Sequence, residues 1–342
     1  MAEPVLSIRG LSTEFRTREG VVRAVDDVSL DVEAATTIGI VGESGSGKST
    51  LGMSVLGLIR PPGHVVAGEI VFKGRDLLRL RSRDLRTVRG RGIGAVFQNP
   101  QTSLDPSLTI GDQVSEAILA HEPRLARDTV RGRGLESLAL AGIPVPESLW
   151  KRYAFELSGG MRQRVMIAIA TVNHPSLLIA DEPTTALDVT TQIQVIEAFR
   201  QRQQDIGAAT LLITHNLGLV AEFCDHVAVM YGGRIVETGP SHMVFARPSH
   251  PYTKGLLGCV PRVDVRSETL SPIPGNPPNL AALPSGCAFQ PRCLLSRGRA
   301  KCTTEHPALR PTGSGCTSAC HFPEELTQLT SPVAAHTSPA SS

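Results

Sequence analysis

Short apolar runs alternate with longer amphipathic stretches through roughly the first 240 residues of the chain. Continuous apolar runs at 177–180 and 210–214 are typical of parallel strands that are covered on both faces. Residues 5–8, 28–32 and 68–74 alternate between apolar and polar positions, which predicts half-buried strands. The pattern therefore indicates a mixed α/β domain.

Further runs extend this pattern. An apolar strand is predicted at 93–97, and Gly232-Gly233 between two apolar runs predicts a tight hairpin. Residues from about 105 to 175 carry helical periodicity without a convincing strand, which indicates a helical subdomain. We predict one nucleotide-binding α/β domain over 1–245.

The composition changes after about residue 245. Prolines become frequent, and five of the seven cysteines fall between 287 and 320, so we predict a small, irregular C-terminal extension over 246–322. Residues 323–342 are rich in Ser, Thr, Pro and Ala, which predicts a disordered tail. No internal repeat is apparent.

The bulk composition narrows the class of protein. The chain has 342 residues, 41% hydrophobic residues and a formal net charge of +2, so nothing in its charge points to a nucleic-acid partner. It shows no signal peptide and no apolar run of the ~20 residues that a spanning helix needs. A cytosolic location is expected, where cysteines are buried or bind metal more often than they form disulfides.

Residues 42–50 match the phosphate-loop pattern G-x-x-x-x-G-K-[ST]. A predicted strand at 37–41 precedes them and a predicted helix follows, so the helix N-terminus faces the phosphates. The alternative is a Gly/Ser-rich surface turn that happens to contain a lysine. The pattern predicts a triphosphate site, with Ser49 also binding Mg²⁺, formed by Gly42, Ser44, Gly45, Gly47, Lys48, Ser49 and Thr50.

Two further segments carry candidate chemistry. Asp181 and Glu182 follow the apolar strand 177–180, where an Asp can hold Mg²⁺ and a Glu can deprotonate an attacking water. Ser158-Gly159-Gly160 precedes a predicted helix and offers a second anion site. Two separate anion sites of one chain do not easily meet on one γ-phosphate, so the second suggests a neighbouring subunit. An ordinary helix cap is the alternative reading.

Together these segments resemble the ATP-binding-cassette family over residues 1 to about 240. The resemblance implies a P-loop NTPase cassette with a RecA-like core, an antiparallel β subdomain and a helical subdomain. It implies that 157–160 is the signature motif, which meets ATP bound by the opposite subunit, and that 186–188 crosses the dimer interface. Asn216 departs from the Asp found in many relatives, without removing a predicted catalytic residue.

The resemblance also implies individual roles. Gln98 is then the glutamine that touches Mg²⁺ and water, and His215 contacts the γ-phosphate. Phe15 stacks on adenine, with a core aromatic as the alternative. Glu182, His215 and Gln98 form the predicted catalytic set, and Ser49, Gln98 and Asp181 the magnesium set.

Residues 97–106, 250–253 and 274–293 resemble the oligopeptide/dipeptide importer branch, and Met161 resembles its D-type subunit. This implies a peripheral ATPase at the cytoplasmic face of the membrane. Its partners would be a second ATPase in a heterodimer, two permease chains and, indirectly, an extracytoplasmic solute-binding protein. Nickel or another small solute is the alternative cargo, and a soluble cassette ATPase without a permease is a further alternative.

The cysteines of the extension are a second candidate site. Their spacing fits neither a paired zinc ribbon nor a compact ferredoxin run. The resemblance implies a [4Fe-4S] cluster, with zinc or free buried thiols as alternatives and Cys316 as a competing ligand. Cys224 and Cys259 are predicted to be core or incidental. The predicted cluster ligands are Cys287, Cys293, Cys302 and Cys320.

Overall fold

A computed structural model describes residues 3–18, 20–185, 187–259, 272–313 and 315–328. Its strands are β1 (Leu6–Thr17), β2 (Gly20–Val32), β3 (Thr37–Val41), β4 (Gly63–Phe72), β5 (Arg75–Asp76), β6 (Ile93–Val96), β7 (Leu177–Asp181), β8 (Ala209–Ile213), β9 (His226–Tyr231), β10 (Arg234–Pro240), β11 (Arg310–Gly313) and β12 (Cys316–Ser318). Its α-helices are α1 (Lys48–Val55), α2 (Ser82–Val88), α3 (Pro100–Ser103), α4 (Ile110–Leu119), α5 (Arg127–Leu140), α6 (Pro146–Leu149), α7 (Gly159–Thr171), α8 (Val189–Ile206), α9 (Leu217–Phe223), α10 (Ser241–Ala246), α11 (Pro251–Gly258) and α12 (Ala300–Thr304). Short 3₁₀ helices lie at Leu77–Arg79, Ala154–Glu156, Gln290–Arg292 and Pro323–Gln328.

The central sheet has the order β11-β12-β10-β9-β3-β8-β7-β6 in the described part of the chain. The strands from β9 to β6 are parallel, and every residue of β7 and β8 is buried, as their continuous apolar runs predict. The carboxyl ends of β3, β8, β7 and β6 therefore meet along one edge of the sheet, which places the loops after them side by side.

A second, antiparallel sheet has the order β2-β1-β4-β5. The strands β1 and β2 are longer than the predicted runs, because register shifts along β1 interrupt the regular alternation of its side chains. Between the two sheets, Leu51 and Val55 of α1 join the core formed by Ile8, Ile40 and Ile213. The predicted α/β fold class is confirmed.

Helices α3 to α7 all lie between β6 and β7; α4 to α7 fall within the segment 105–175 that helical periodicity predicts to be a helical subdomain, whereas α3 precedes it. Thr109 caps α4 in a reciprocal pair with Asp112, and the Ser158 hydroxyl accepts a hydrogen bond from the N–H of Met161 at the start of α7. These helices share a core with the far face of the central sheet, which includes Ile118, Leu138 and Ile167.

The C-terminal extension packs onto the α/β domain. The hairpin of β11 and β12 joins the central sheet, because Glu237 and Thr238 of β10 pair with Ser318 and Thr317 of β12. Of the predicted tail, Pro323–Gln328 form a 3₁₀ helix and residues 329–342 lie outside the described residues. The helices of the described ranges are all too short or too polar to cross a membrane.

Candidate functional site

The phosphate loop (residues 42–47) connects the buried strand β3 to helix α1. Gly47 has a φ of 105°, and a Cβ there would lie 2.1 Å from the carbonyl oxygen of Ala24 in β2. Gly42 has a φ of 152°, and a Cβ there would lie 2.2 Å from the carbonyl oxygen of Met230 in β9. Both positions require glycine, since backbone carbonyls of the flanking strands leave no space for a side chain.

The Lys48 side chain is buried within this loop. Its Nζ donates hydrogen bonds to the carbonyl oxygens of Gly42 and Glu43, at 2.8 and 2.9 Å. Burial lowers the pKa of Lys48, although the nearby carboxylates of Glu182, Asp181 and Glu43 act in the opposite direction. The ammonium is therefore held where only weak neutral acceptors reach it, and triphosphate oxygens would bind it more strongly.

Ser49 and Asp181 bring two oxygen ligands together at the first turn of α1. The Ser49 hydroxyl donates a hydrogen bond of 3.0 Å to Oδ1 of Asp181, across the ends of α1 and β7. Burial raises the pKa of Asp181, and the hydrogen bond from Ser49 offsets part of that effect. Hydroxyl and carboxylate oxygens are the ligands that Mg²⁺ prefers, so this pair fits the predicted magnesium set.

Three side chains converge on the Glu182 carboxylate. Gln98 Nε2 donates to Oε2 at 2.9 Å, Thr185 Oγ1 donates to Oε2 at 2.8 Å, and His215 Nδ1 lies 3.1 Å from Oε1. Burial acts to raise the pKa of Glu182, but the hydrogen bonds from His215 and Thr185 outweigh it and the pKa is lowered. The carboxylate is thus ionised at neutral pH and can accept a proton.

The backbone presents Glu182 in an unusual conformation. Its φ is 45°, in the left-handed region, while its N–H donates to the carbonyl oxygen of Ile213 at 2.8 Å. Strained backbone of this kind costs about 1–3 kcal/mol and persists only where the surroundings hold it. The sheet therefore aims this carboxylate along the edge that carries the phosphate loop.

The structure brings Ser49, Gln98, Asp181, Glu182 and His215 together beside the phosphate loop, whereas the predicted signature residues lie at the start of α7. Ser158 is exposed, and Cβ atoms at Gly159 and Gly160 would meet Leu187 and Thr191, beside the start of α8. Asp188 caps α8 by accepting from the N–H of Thr191, whereas Ala186 of the predicted interface loop lies outside the described residues.

The half-buried ring of Phe15 lies over Gly63, where a Cβ would be 2.6 Å from Phe15 Cε1. This packing against the β4 backbone is what a core aromatic makes, so adenine stacking stays a prediction. Asn216 has a structural role, because its side chain accepts a hydrogen bond of 3.2 Å from the N–H of Leu219 and caps α9.

Four cysteines of the extension line one small pocket beside Phe289: Cys287, Cys293, Cys302 and Cys320. Burial raises the pKa of Cys287 to about 11 and that of Cys320 to about 12, so these thiols are protonated at neutral pH. Within the described ranges, however, no group of three or more His, Cys, Asp or Glu side chains is arranged to hold a metal ion. The pocket gathers the predicted cluster ligands without presenting a ready-made metal site.

Cys316 lies apart from this pocket. It belongs to β12 and is buried against Gly239 of β10, where a Cβ would be 2.6 Å from its Sγ. Burial raises the pKa of Cys316, and the charge of Glu237 adds to this effect. The competing-ligand reading of Cys316 therefore gains no support from its position.

Sequence reasoning missed two groups at the site. Thr185 donates to the Glu182 carboxylate, and its place three residues after that glutamate is the only signal that could have indicated it. The Glu43 side chain, at a variable position of the phosphate-loop pattern, pairs with Arg292 at 2.6 Å. No spacing rule links two residues 249 positions apart, so only the fold reveals this pair.

Comparison with known proteins identifies the family. The ABC transporter family model matches residues 25–185, and the model of the oligopeptide/dipeptide transporter C-terminal region matches residues 236–302. The dipeptide transport ATP-binding protein DppD of Bacillus subtilis is 48% identical over 292 residues, which cover 85% of this chain and 87% of that protein. DppD of Escherichia coli K12 is 44% identical over 319 residues, covering 93% of this chain and 97% of that protein.

A solved structure agrees with this assignment. The ATP-binding cassette MJ0796, described as a dimer in a post-hydrolysis state bound to ADP and Pi, superposes with a TM-score of 0.62 at 26% identity, over 69% of this chain and 98% of that one. The first family model covers the phosphate loop and the Asp181-Glu182 pair, and the second covers much of the C-terminal extension. The chain is an ATP hydrolase that belongs to the ATP-binding-cassette family, in its oligopeptide/dipeptide transporter branch.

Proposed function

We propose that this chain is the ATPase subunit that powers peptide import across the cytoplasmic membrane. Gln98, Thr185 and His215 converge on Glu182 beside the phosphate loop. This observation is the main structural support for ATP hydrolysis. Relatives named as dipeptide transport proteins, together with the matched extension, support peptides as the cargo. Membrane permease chains are its partners, and the peripheral cytoplasmic face of the membrane is its location.

The proposed mechanism assigns each group one task. Lys48 leaves the carbonyl oxygens of the loop and binds the β- and γ-phosphates, and Gly42, Ser44, Gly45, Gly47 and Thr50 shape and line the loop that cradles them. Ser49 and Asp181 would hold Mg²⁺, which would neutralise phosphate charge. Glu182 accepts a proton from the attacking water while Gln98 and His215 fix the direction of its carboxylate.

Completion of the site requires a second ATPase subunit. Ser158 is exposed at the N-terminus of α7, and this helix of 13 residues has a dipole that favours anions at that end. A Cβ at Gly160 would meet Thr191 of α8. We propose that Ser158, Gly159 and Gly160 close over ATP held by the partner in a heterodimer, with Phe15 stacking on adenine in its own site. Permease chains then follow the closure through the groove around Gln98, and a solute-binding protein delivers the peptide.

Replacement of Glu182 by Gln tests the catalytic assignment. The glutamine keeps the size and shape of the glutamate side chain but cannot accept a proton. We therefore expect ATP affinity to be retained and turnover to fall by about 10²–10⁴-fold. Glu222→Gln on the exposed face of α9 is the matched control. Normal turnover of Glu182→Gln in a single-turnover ATPase assay would contradict the assignment.

The cargo and the partners are tested on the intact complex. The tagged chain is purified from membranes, its co-purifying chains are identified by mass spectrometry, and the complex is reconstituted in proteoliposomes. Stimulation of ATPase activity by a binding protein loaded with dipeptides or oligopeptides would support peptide import. Stimulation by nickel chelates alone would identify a metal importer, and a chain without permease partners would be a soluble cassette ATPase.

We also propose that Cys287, Cys293, Cys302 and Cys320 hold a [4Fe-4S] cluster, with zinc as the alternative metal. Support comes from the pocket that they share, since four cysteines that line one small pocket supply the number of thiolates that a [4Fe-4S] cluster binds. Anaerobic purification should give a brown protein with about four irons per chain. Cys302→Ser should lose the iron and Cys316→Ser should keep it, whereas a colourless, iron-free wild type would exclude the cluster.

A further inference from the structure

The phosphate loop is held from outside the α/β domain. Glu43, the second residue of the loop, forms a bidentate ion pair with Arg292 of the extension, at 2.6 Å to Oε2 and 2.9 Å to Oε1. The Arg292 side chain is only 5% exposed, and its Nε also donates to the carbonyl oxygen of Pro274 at 2.9 Å. A bidentate pair with a buried arginine fixes orientation as well as distance.

A second contact from the extension holds the same residue. The N–H of Glu43 donates a hydrogen bond of 2.7 Å to the hydroxyl of Tyr252, which is fully buried on α11. The rings of Tyr252, Tyr231 and Phe289 pack within 4.5–5.4 Å of one another, and Arg292 lies over two of them. The hydroxyl and the guanidinium thus rest on one rigid aromatic cluster.

All three polar groups of Glu43 are therefore occupied. Its carboxylate binds Arg292, its N–H binds Tyr252 and its carbonyl oxygen accepts from Lys48. When a triphosphate draws Lys48 away, the Glu43 carbonyl oxygen keeps the hydrogen bond of 3.2 Å that it accepts from the N–H of Ser46 within the loop, and the two contacts from the extension hold this residue from outside the loop. The entry turn of the phosphate loop then keeps its shape because the extension supports it.

We propose that Arg292 and Tyr252 are positioning residues for ATP binding, acting on the phosphate loop through Glu43. Their role is to keep the loop open around the β-phosphate while Lys48 changes partners. This inference concerns nucleotide affinity and goes beyond peptide import, because it holds whatever solute the importer carries. It makes the extension part of the ATP site instead of a separate appendage.

The test uses the full chain and measures equilibrium binding of a fluorescent ATP analogue, alongside KM, kcat and the melting temperature. Arg292→Gln should weaken binding and raise KM by about tenfold to 10²-fold with little change in kcat, because misplacing a binding group by about 1 Å has effects of this size. Arg292→Lys keeps the charge but not the bidentate geometry, so its effect should be intermediate. Tyr252→Phe removes one hydroxyl and keeps the ring, so it should weaken binding several-fold. This variant provides a second test if Arg292→Gln does not fold.

A matched control comes from the same extension. Arg299 pairs with Glu325 at 2.8 Å near the surface, so Arg299→Gln breaks an ion pair without touching the phosphate loop and should leave ATP affinity unchanged. The double variant Glu43→Gln/Arg292→Gln should bind ATP no more weakly than the single variants, since the pair acts as one unit. Unchanged affinity in a folded Arg292→Gln or Tyr252→Phe variant, or an equal loss in Arg299→Gln, would overturn the proposal.

Discussion

Replacement of Glu237 by Gln should remove a pH dependence of stability that this buried carboxyl group creates. Glu237 lies on β10 with none of its surface exposed, and its oxygens accept hydrogen bonds from the N–H groups of Ser249 and His250. Burial raises its pKa from 4.5 to about 7, although those two backbone hydrogen bonds act in the opposite direction. The carboxyl group is therefore half protonated near neutral pH in the folded chain.

The sign and the size of the effect on stability follow from the difference between the pKa of Glu237 in the folded chain and its ordinary value of 4.5. Between pH 4.5 and about 7 the folded chain retains a proton that the unfolded chain releases, so raising the pH favours unfolding. At about 1.36 kcal/mol for each pH unit, the free energy of unfolding falls by about 3 kcal/mol over this interval. Buried His250, whose pKa is lowered to about 3, acts in the opposite direction between pH 3 and 6.5. Only the difference between wild type and variant therefore isolates Glu237.

Urea unfolding followed by far-ultraviolet circular dichroism, at intervals from pH 4.5 to 8, measures this difference. The stability of wild type relative to Glu237→Gln should fall as the pH rises to about 7 and then stay constant. Glu325→Gln is the control, because the pKa of that carboxyl group is lowered by Arg299 and its contribution is lost only as the pH falls. A difference between wild type and Glu237→Gln that does not change with pH would refute a protonated, buried Glu237.

Three further outcomes are expected. Gly47→Ala should abolish ATP binding and lower the melting temperature, since its Cβ would lie 2.1 Å from the carbonyl oxygen of Ala24. The control Gly132→Ala, on the open side of α5, should be neutral or should stabilise the chain by up to about 1 kcal/mol. Ser49→Ala should raise the Mg²⁺ concentration needed for half-maximal ATPase activity by about tenfold or more, as a titration would show. Thr185→Val should lower kcat with little change in ATP affinity, because it removes a donor to Glu182; an unchanged kcat would contradict that role.

The parallel strands and the phosphate loop could be predicted because local rules determine them. The runs at 177–180 and 210–214 are apolar throughout since both faces of β7 and β8 are buried, and the structure confirms them. The hairpin at Gly232-Gly233 is confirmed as well, with φ values of 58° and 81° that a tight turn of this kind requires.

Features that depend on contacts between distant parts of the chain could not be predicted from the sequence, and the reason is again physical. The β11–β12 hairpin is short and proline-containing, so its residues show no clear alternation, and pairing with β10 is what forms it. The approach of Arg292 to Glu43, like the meeting of four cysteines, depends on how the extension docks and not on any sequence period. Local sequence propensity depends on residues that are a few positions apart, whereas these contacts join residues that are tens to hundreds of positions apart in the chain.

The addition of β12 to the central sheet also affects solubility. The hydrogen bonds of Glu237 and Thr238 to β12 cover the outer side of β10, which would otherwise present unpaired N–H and C=O groups. An open edge of this kind is a template for pairing with another chain. A fragment that ends near residue 245 would therefore expose this edge, and we expect it to aggregate through β10 where the full chain does not.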